Sequence, residues 1–140
     1  MAFRYSVACP TLRWTGYDVR ENPEEVLTAI QGAGYDGADL PVEGITAESI
    51  RPIVDSLGLE VPEIMGTWGY VHSGEDRDLT STDEPARQRG IEYSTAAIDL
   101  AVELGAKFFN ICAPQPPVPQ VPFPKTPIAE LRRNFGGSLR

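Results

Sequence analysis

Three times in this chain a helical pattern runs into a small residue or a leucine, then a glycine, then one or two further residues, and at once into a strand-like run. The copies are Ala33-Gly34-Tyr35-Asp36 before Gly37-Ala38-Asp39-Leu40-Pro41, Leu57-Gly58-Leu59-Glu60 before Val61-Pro62-Glu63-Ile64-Met65-Gly66, and Leu104-Gly105-Ala106-Lys107 before Phe108-Phe109-Asn110-Ile111-Cys112. Each glycine falls where a helix must leave its axis through a residue of positive φ. Joints this tight make strands and helices alternate, and alternation predicts parallel strands with crossover helices. Tyr5-Ser6-Val7-Ala8-Cys9 before Pro10 supplies a first strand ahead of them.

The helices carry their own signals. Asn22, Pro23, Glu24 and Glu25 read as an N-cap, a proline at the first helical position and acid in the first turn, with Val26, Leu27, Ile30 and Ala33 on one face. A second helix from Ala47 or Ser49 carries the stripe Ile50, Ile53, Val54 and Leu57, and its Pro52 fits only near the start because it lacks a donor. The third starts at Thr82-Asp83-Glu84-Pro85 and places Ile91, Ile98, Ala101 and Val102 on a common face, with Leu100 and Leu104 covering its last turns. A fourth begins near Thr126, with Ile128, Leu131, Phe135 and Leu139 at helical spacing.

Doubly wound sheets and (β/α)8 barrels both satisfy this alternation. No Gly-x-Gly-x-x-Gly turn follows the first strand, the strands are short and interrupted by polar residues, and the strand-to-helix loops are the long ones. Long loops at the carboxyl ends of strands mark a barrel. The expected fold class is therefore α/β, a partial (β/α)8 TIM barrel of about four βα units of parallel strands with outer helices, in a single domain over 1–140. A complete barrel takes about 250 residues, so these units amount to about half of one.

Twenty acidic residues against twelve basic give a formal charge of −8, with no Lys/Arg cluster, which disfavours nucleic acid as a partner. No apolar run approaches the roughly 18 residues of a membrane span, and Met1-Ala2-Phe3-Arg4-Tyr5 lacks a signal-peptide core, so a cytoplasmic protein is expected. Cys9 and Cys112 lie within apolar runs and read as small buried hydrophobes.

In this order and spacing, the passages at 33–41, 57–61 and 104–107 make the chain resemble the sugar-phosphate isomerase/epimerase superfamily, the xylose-isomerase-like TIM barrels, over essentially its whole length. The resemblance implies a divalent metal (Mn, Mg, Co or Zn) in a full-length member, held by carboxylates and a histidine on later strands, with acidic residues moving a proton beside a carbonyl. Those positions lie beyond Arg140, so no metal ligand and no catalytic residue is assigned on this chain. The apurinic endonuclease branch places histidines at the ends of the third and fourth strands. Here the fourth carries Asn110 and Cys112 and the only histidine, His72, comes several residues after the third, which argues against DNA repair.

On a barrel, functional groups gather at the carboxyl rim. Asp39, Glu63 and Asn110 fall in strands two, three and four, where each either faces a ligand or caps a neighbouring helix, since strand residues alternate in direction. Trp14 and Tyr17 after the first strand, and Trp68 and Tyr70 after the third, offer flat surfaces for a sugar ring or a cover for the core. His72, among glycines and aromatics, is a proton carrier or a solvated loop residue. Arg13 and Arg20 are candidates to meet a phosphate. The proline-rich segment 114–124 reads as a stiff loop over the same face rather than an SH3-type ligand.

The expected substrate-binding set is thus Trp14, Asp39, Trp68, Tyr70, His72 and Asn110, for a small sugar or polyol. The expected function is the N-terminal part of a metal-dependent sugar isomerase or epimerase. The alternatives are a non-catalytic half-barrel that assembles with itself or another chain, and a lyase or dehydratase on the same scaffold. Open sheet edges make a homo-oligomer the expected state.

Overall fold

Gly34, Gly58 and Gly105, one from each repeated passage, take φ values of 87°, 65° and 75°, the left-handed conformation that ends a helix and releases the chain into a strand. The computed structural model describes residues 3–66, 77–111 and 128–140. Within them run β1 (Ser6–Ala8), α1 (Cys9–Leu12), a 3-10 turn (Arg13–Thr15), α2 (Pro23–Gly32), β2 (Gly37–Pro41), α3 (Ala47–Leu57), β3 (Glu63–Met65), α4 (Glu84–Leu104), β4 (Phe108–Asn110) and α5 (Ile128–Ser138). The strands form one parallel sheet in the order β1-β2-β3-β4.

Two bodies make up the chain, one of residues 1–66 and 96–110 and one of residues 67–95 and 111–140. The first holds the sheet. β2 occupies the expected residues, but the others are shorter. Cys9 leaves β1 to open α1, where Pro10 is tolerated in the first turn. Before β3, Pro62 offers only its carbonyl, which accepts from the Lys107 and Phe108 N–H groups at 3.0 and 3.2 Å.

Asn22 occupies the N-cap of α2 but makes no side-chain cap bond. α3 is capped by Thr46 and Ser49, each side chain bonding the other's backbone. Starting at Ala47 puts Pro52 inside the helix rather than in its first turn. Gly37 is required by close approach: a Cβ there would stand 2.7 Å from the Glu60 carbonyl oxygen. The Ala38 N–H donates to that same oxygen at 3.0 Å.

The core lies between the helices and one face of the sheet: Val26, Leu27 and Ile30 of α2, Ile50 and Val54 of α3, and Ala97, Leu100 and Ala101 of α4 pack with Ala38, Leu40 and Ile64. The stripe expected on α4 is corrected here. Ile98 and Val102 are 50% and 74% exposed, and the buried positions of the last turns are Ala97, Leu100 and Ala101.

In the second body, Leu79 is buried against Gly90, where a Cβ would approach Leu79 to 3.2 Å. Asp78 Oδ1 accepts from the Thr80 N–H and hydroxyl at 2.8 and 2.6 Å. α5 ties itself to this turn: Asn134 Nδ2 donates to the carbonyls of Thr80 and Ser81, both at 3.1 Å, and Ser138 Oγ to that of Leu79 at 3.0 Å.

Candidate functional site at the sheet rim

Register decides which polar residues can act together. Ala8 pairs with Asp39, Leu40 with Ile64, and Glu63, Ile64 and Met65 with Phe108, Phe109 and Asn110. Partners across parallel strands share a face, and neighbours along a strand alternate. Val7, Ala38, Leu40, Ile64 and Phe109 therefore point to the helices. Ser6, Ala8, Asp39, Glu63, Met65, Phe108 and Asn110 point to the opposite face.

On that face Ala8, Asp39, Glu63 and Phe108 form one level across the sheet, with Met65 and Asn110 one step nearer the carboxyl ends. Asp39 and Glu63 are thereby neighbours on adjacent strands, whose backbones lie about 4.8 Å apart. Ser6 Oγ donates to Asp39 Oδ2 at 2.8 Å. Glu63 Oε1 is shut off from solvent and has no hydrogen-bond partner among the described residues. Leaving such an acceptor unpaired costs about 1–3 kcal/mol, more when it is charged.

The buried Cys9 thiol lies within reach of this charge. Burial first, and then the negative charge of Asp39, push its pKa up to about 12. It stays a neutral thiol, inert as a nucleophile, in keeping with its reading as a small hydrophobe.

Of the expected residues, the structure brings Asp39 and Asn110 to one face, adjacent in level, together with Glu63. Trp14 follows β1 at its carboxyl end, in the 3-10 turn, 70% exposed and with the Arg13 guanidinium 5.9 Å from its ring centre. Trp68, Tyr70 and His72 lie outside the described residues, as do Cys112 and the proline-rich segment. Arg20 is not poised for a phosphate. It clamps Asp18 through Nε at 2.7 Å and through its terminal nitrogen, and its stem lies against Gly44. That clamp holds the Asp18 carboxyl down at about 2. Ser6 escaped the sequence reading; the signal available was a hydroxyl two residues before Ala8 in a strand that had to pair with Asp39.

Among the described residues no three His, Cys, Asp or Glu side chains come together, and one oxygen of Asp39 is taken by Ser6. No described helix is long and apolar enough to cross a membrane.

Four parallel βα units whose carboxylates line one sheet face define part of a (β/α)8 barrel. Solved structures share this fold. The fold matches the E. coli 3-keto-D-glucoside 4-epimerase YcjR in its apo form, with a TM-score of 0.69 and 20% identity over 86% of this chain and 45% of that one. It also matches a D-psicose 3-epimerase crystallised in the presence of D-fructose, with a TM-score of 0.67 and 12% identity over 98% of this chain and 46% of that one. Both are xylose-isomerase-like TIM barrels, and the chain spans under half the length of each. No protein-family model and no curated protein matches by sequence.

Proposed function

We infer that this chain is the N-terminal half of a sugar isomerase- or epimerase-like barrel in the cytoplasm, and that its sheet face forms one wall of a pocket for a ketose or related polyol. The observation that carries the reading is Glu63 Oε1, a solvent-excluded acceptor without a donor among the described residues, level with Asp39 at the place where barrels bind ligands. Adjacent carboxylates accept hydrogen bonds from vicinal hydroxyls, the groups a sugar presents in quantity. Asn110, one level higher, adds an amide, and Trp14 beyond β1 offers a flat surface to the apolar side of the ring. The structural neighbours, a 3-keto-D-glucoside 4-epimerase and a D-psicose 3-epimerase, support the same substrate class.

A resident metal belongs to the half of the barrel that this chain does not contain. The work left to these residues is to hold and orient hydroxyls.

Saturation-transfer NMR with D-fructose, D-psicose and a non-sugar polyol such as inositol, on the chain and on Asp39→Asn and Glu63→Leu, tests the reading. Binding of a ketose that weakens at least about fivefold in each variant is expected, the loss of one charged hydrogen bond. Absence of ketose binding, or binding by both variants as tight as that of the unaltered chain, overturns it.

A further inference from the structure

Asp39 is held from the neighbouring strand. Ser6 of β1 pairs with Gly37 of β2, which sets its hydroxyl on the site face one level nearer the amino ends than Asp39, and Oγ donates to Asp39 Oδ2 at 2.8 Å. Ser6 is exposed and stands outside the core, so what its side chain offers the sheet is this bond. The terminal torsion of an aspartate is soft, and a carboxylate turns through a broad range unless something takes one of its oxygens. Here the serine takes Oδ2.

The hydroxyl is a fixed point because the chain on either side of it is fastened. Before it, the Tyr5 N–H donates to Asp36 Oδ2 at 2.9 Å, and the Asp36 N–H donates back to the Tyr5 carbonyl at 2.9 Å. Arg4 adds ion pairs to Asp36 and Glu60, whose carbonyl accepts from the Ala38 N–H at 3.0 Å. After it, Val7 packs on the core. A side chain whose own position is set in this way can set that of its neighbour, which is how supporting residues hold a binding group in its productive geometry.

We propose that Ser6 is the positioning residue of this face: it holds the Asp39 carboxylate in one orientation before any ligand arrives, committing Oδ2 and leaving Oδ1 for a ligand hydroxyl. Ordering a free side chain on binding weakens affinity roughly two- to tenfold, and a carboxylate already ordered escapes that loss. The gain in affinity rests on the sugar reading of the site, whereas the orientation of Asp39 belongs to the unliganded chain.

Three variants test it. Ser6→Ala and Ser6→Val remove the hydroxyl, while Ser6→Thr keeps it in the shape of the valine. NMR couplings between the α and β protons of Asp39, measured without ligand, should be those of a single rotamer in the unaltered chain and in Ser6→Thr, and rotamer-averaged in the other two. D-Fructose and D-psicose should bind Ser6→Ala and Ser6→Val roughly threefold or more weakly, Ser6→Thr as the unaltered chain, and Ser6→Ala should cost nothing further in a chain already carrying Asp39→Ala. Urea midpoints should stay together, since the residue is exposed, and they show that each variant is folded; two hydroxyl-free variants keep the test should one disturb the strand. Averaged couplings in the unaltered chain, or couplings that neither hydroxyl-free variant changes, overturn the proposal whatever the ligand does. Couplings as expected with no ketose bound overturn the sugar reading and uphold the orientation of Asp39 by Ser6. Ketose binding that Asp39→Asn weakens but Ser6→Ala and Ser6→Val do not upholds the sugar reading and removes Ser6 from it.

Discussion

The two faces of the sheet are built from the same short strands and have opposite fates. On the helix side, Ala38, Leu40 and Ile64 have no measurable exposure. On the other, at adjacent positions, stand Asp39, Glu63, Asn110 and Phe108, the last 65% exposed despite being aromatic. One face specifies the fold, because its apolar residues must meet α2, α3 and α4. The other contributes little to stability as it stands and carries the groups that can do chemistry. Alternation along β3 places the two roles in consecutive residues.

Ile64 and Glu63 are thus the sharpest way to break the comparison. Ile64→Ala empties a fully buried site at the centre of the core and should cost about 3–4 kcal/mol, read as a drop in the urea midpoint with the slope unchanged. Should the loss stay below about 1 kcal/mol, the helix-side face is not the one that holds the fold. The next residue toward the amino end should answer with the opposite sign. Glu63→Leu removes a solvent-excluded oxygen that has no described partner, and should stabilise the isolated chain by about 1 kcal/mol while weakening ketose binding at least about fivefold. A stability loss there means that the carboxylate is satisfied within the chain and is not waiting for a ligand.

Much of the helix-side face was legible in the sequence, because glycine punctuation and hydrophobic spacing are local. The turn at Gly34 fixed the start of β2 to the residue, the stripe of α3 held, and that of α2 held for Val26, Leu27 and Ile30 but not for Ala33, which is exposed. α4 was misread because its buried line runs through alanines, Ala97 and Ala101 beside Leu100, which signal weakly in a sequence, while Ile98 and Val102, the stronger hydrophobic signals, stay exposed. On the site face, Asp39, Glu63 and Asn110 were all visible as rim candidates. Their mutual arrangement was not, since it rests on register between strands some 25 to 45 residues apart in sequence, set by tertiary packing. The Ser6 bond to Asp39 and the missing partner of Glu63 are consequences of that register.

A third carboxylate sharpens the contrast at smaller scale. Asp18, in the loop between β1 and α2, is a rim acid whose charge is fully answered: both its oxygens meet the Arg20 guanidinium, and the Arg20 N–H adds a bond at 3.0 Å. Its pKa falls from an ordinary 3.8 to about 2, chiefly through the Arg20 side-chain hydrogen bonds. A depressed carboxyl stabilises the fold in full above its unfolded value, and loses that contribution as pH falls from about 4 through 2. Because solvent reaches part of the pair, the amount should be about 1 kcal/mol rather than the full equivalent of the shift. Melting temperatures of the chain and of Asp18→Asn, measured between pH 6 and pH 2, should lie apart at the upper end and converge at the lower. Parallel curves mean that the guanidinium does not hold this carboxylate in solution, and the loop that carries Trp14 to the rim then lacks the anchor assigned to it.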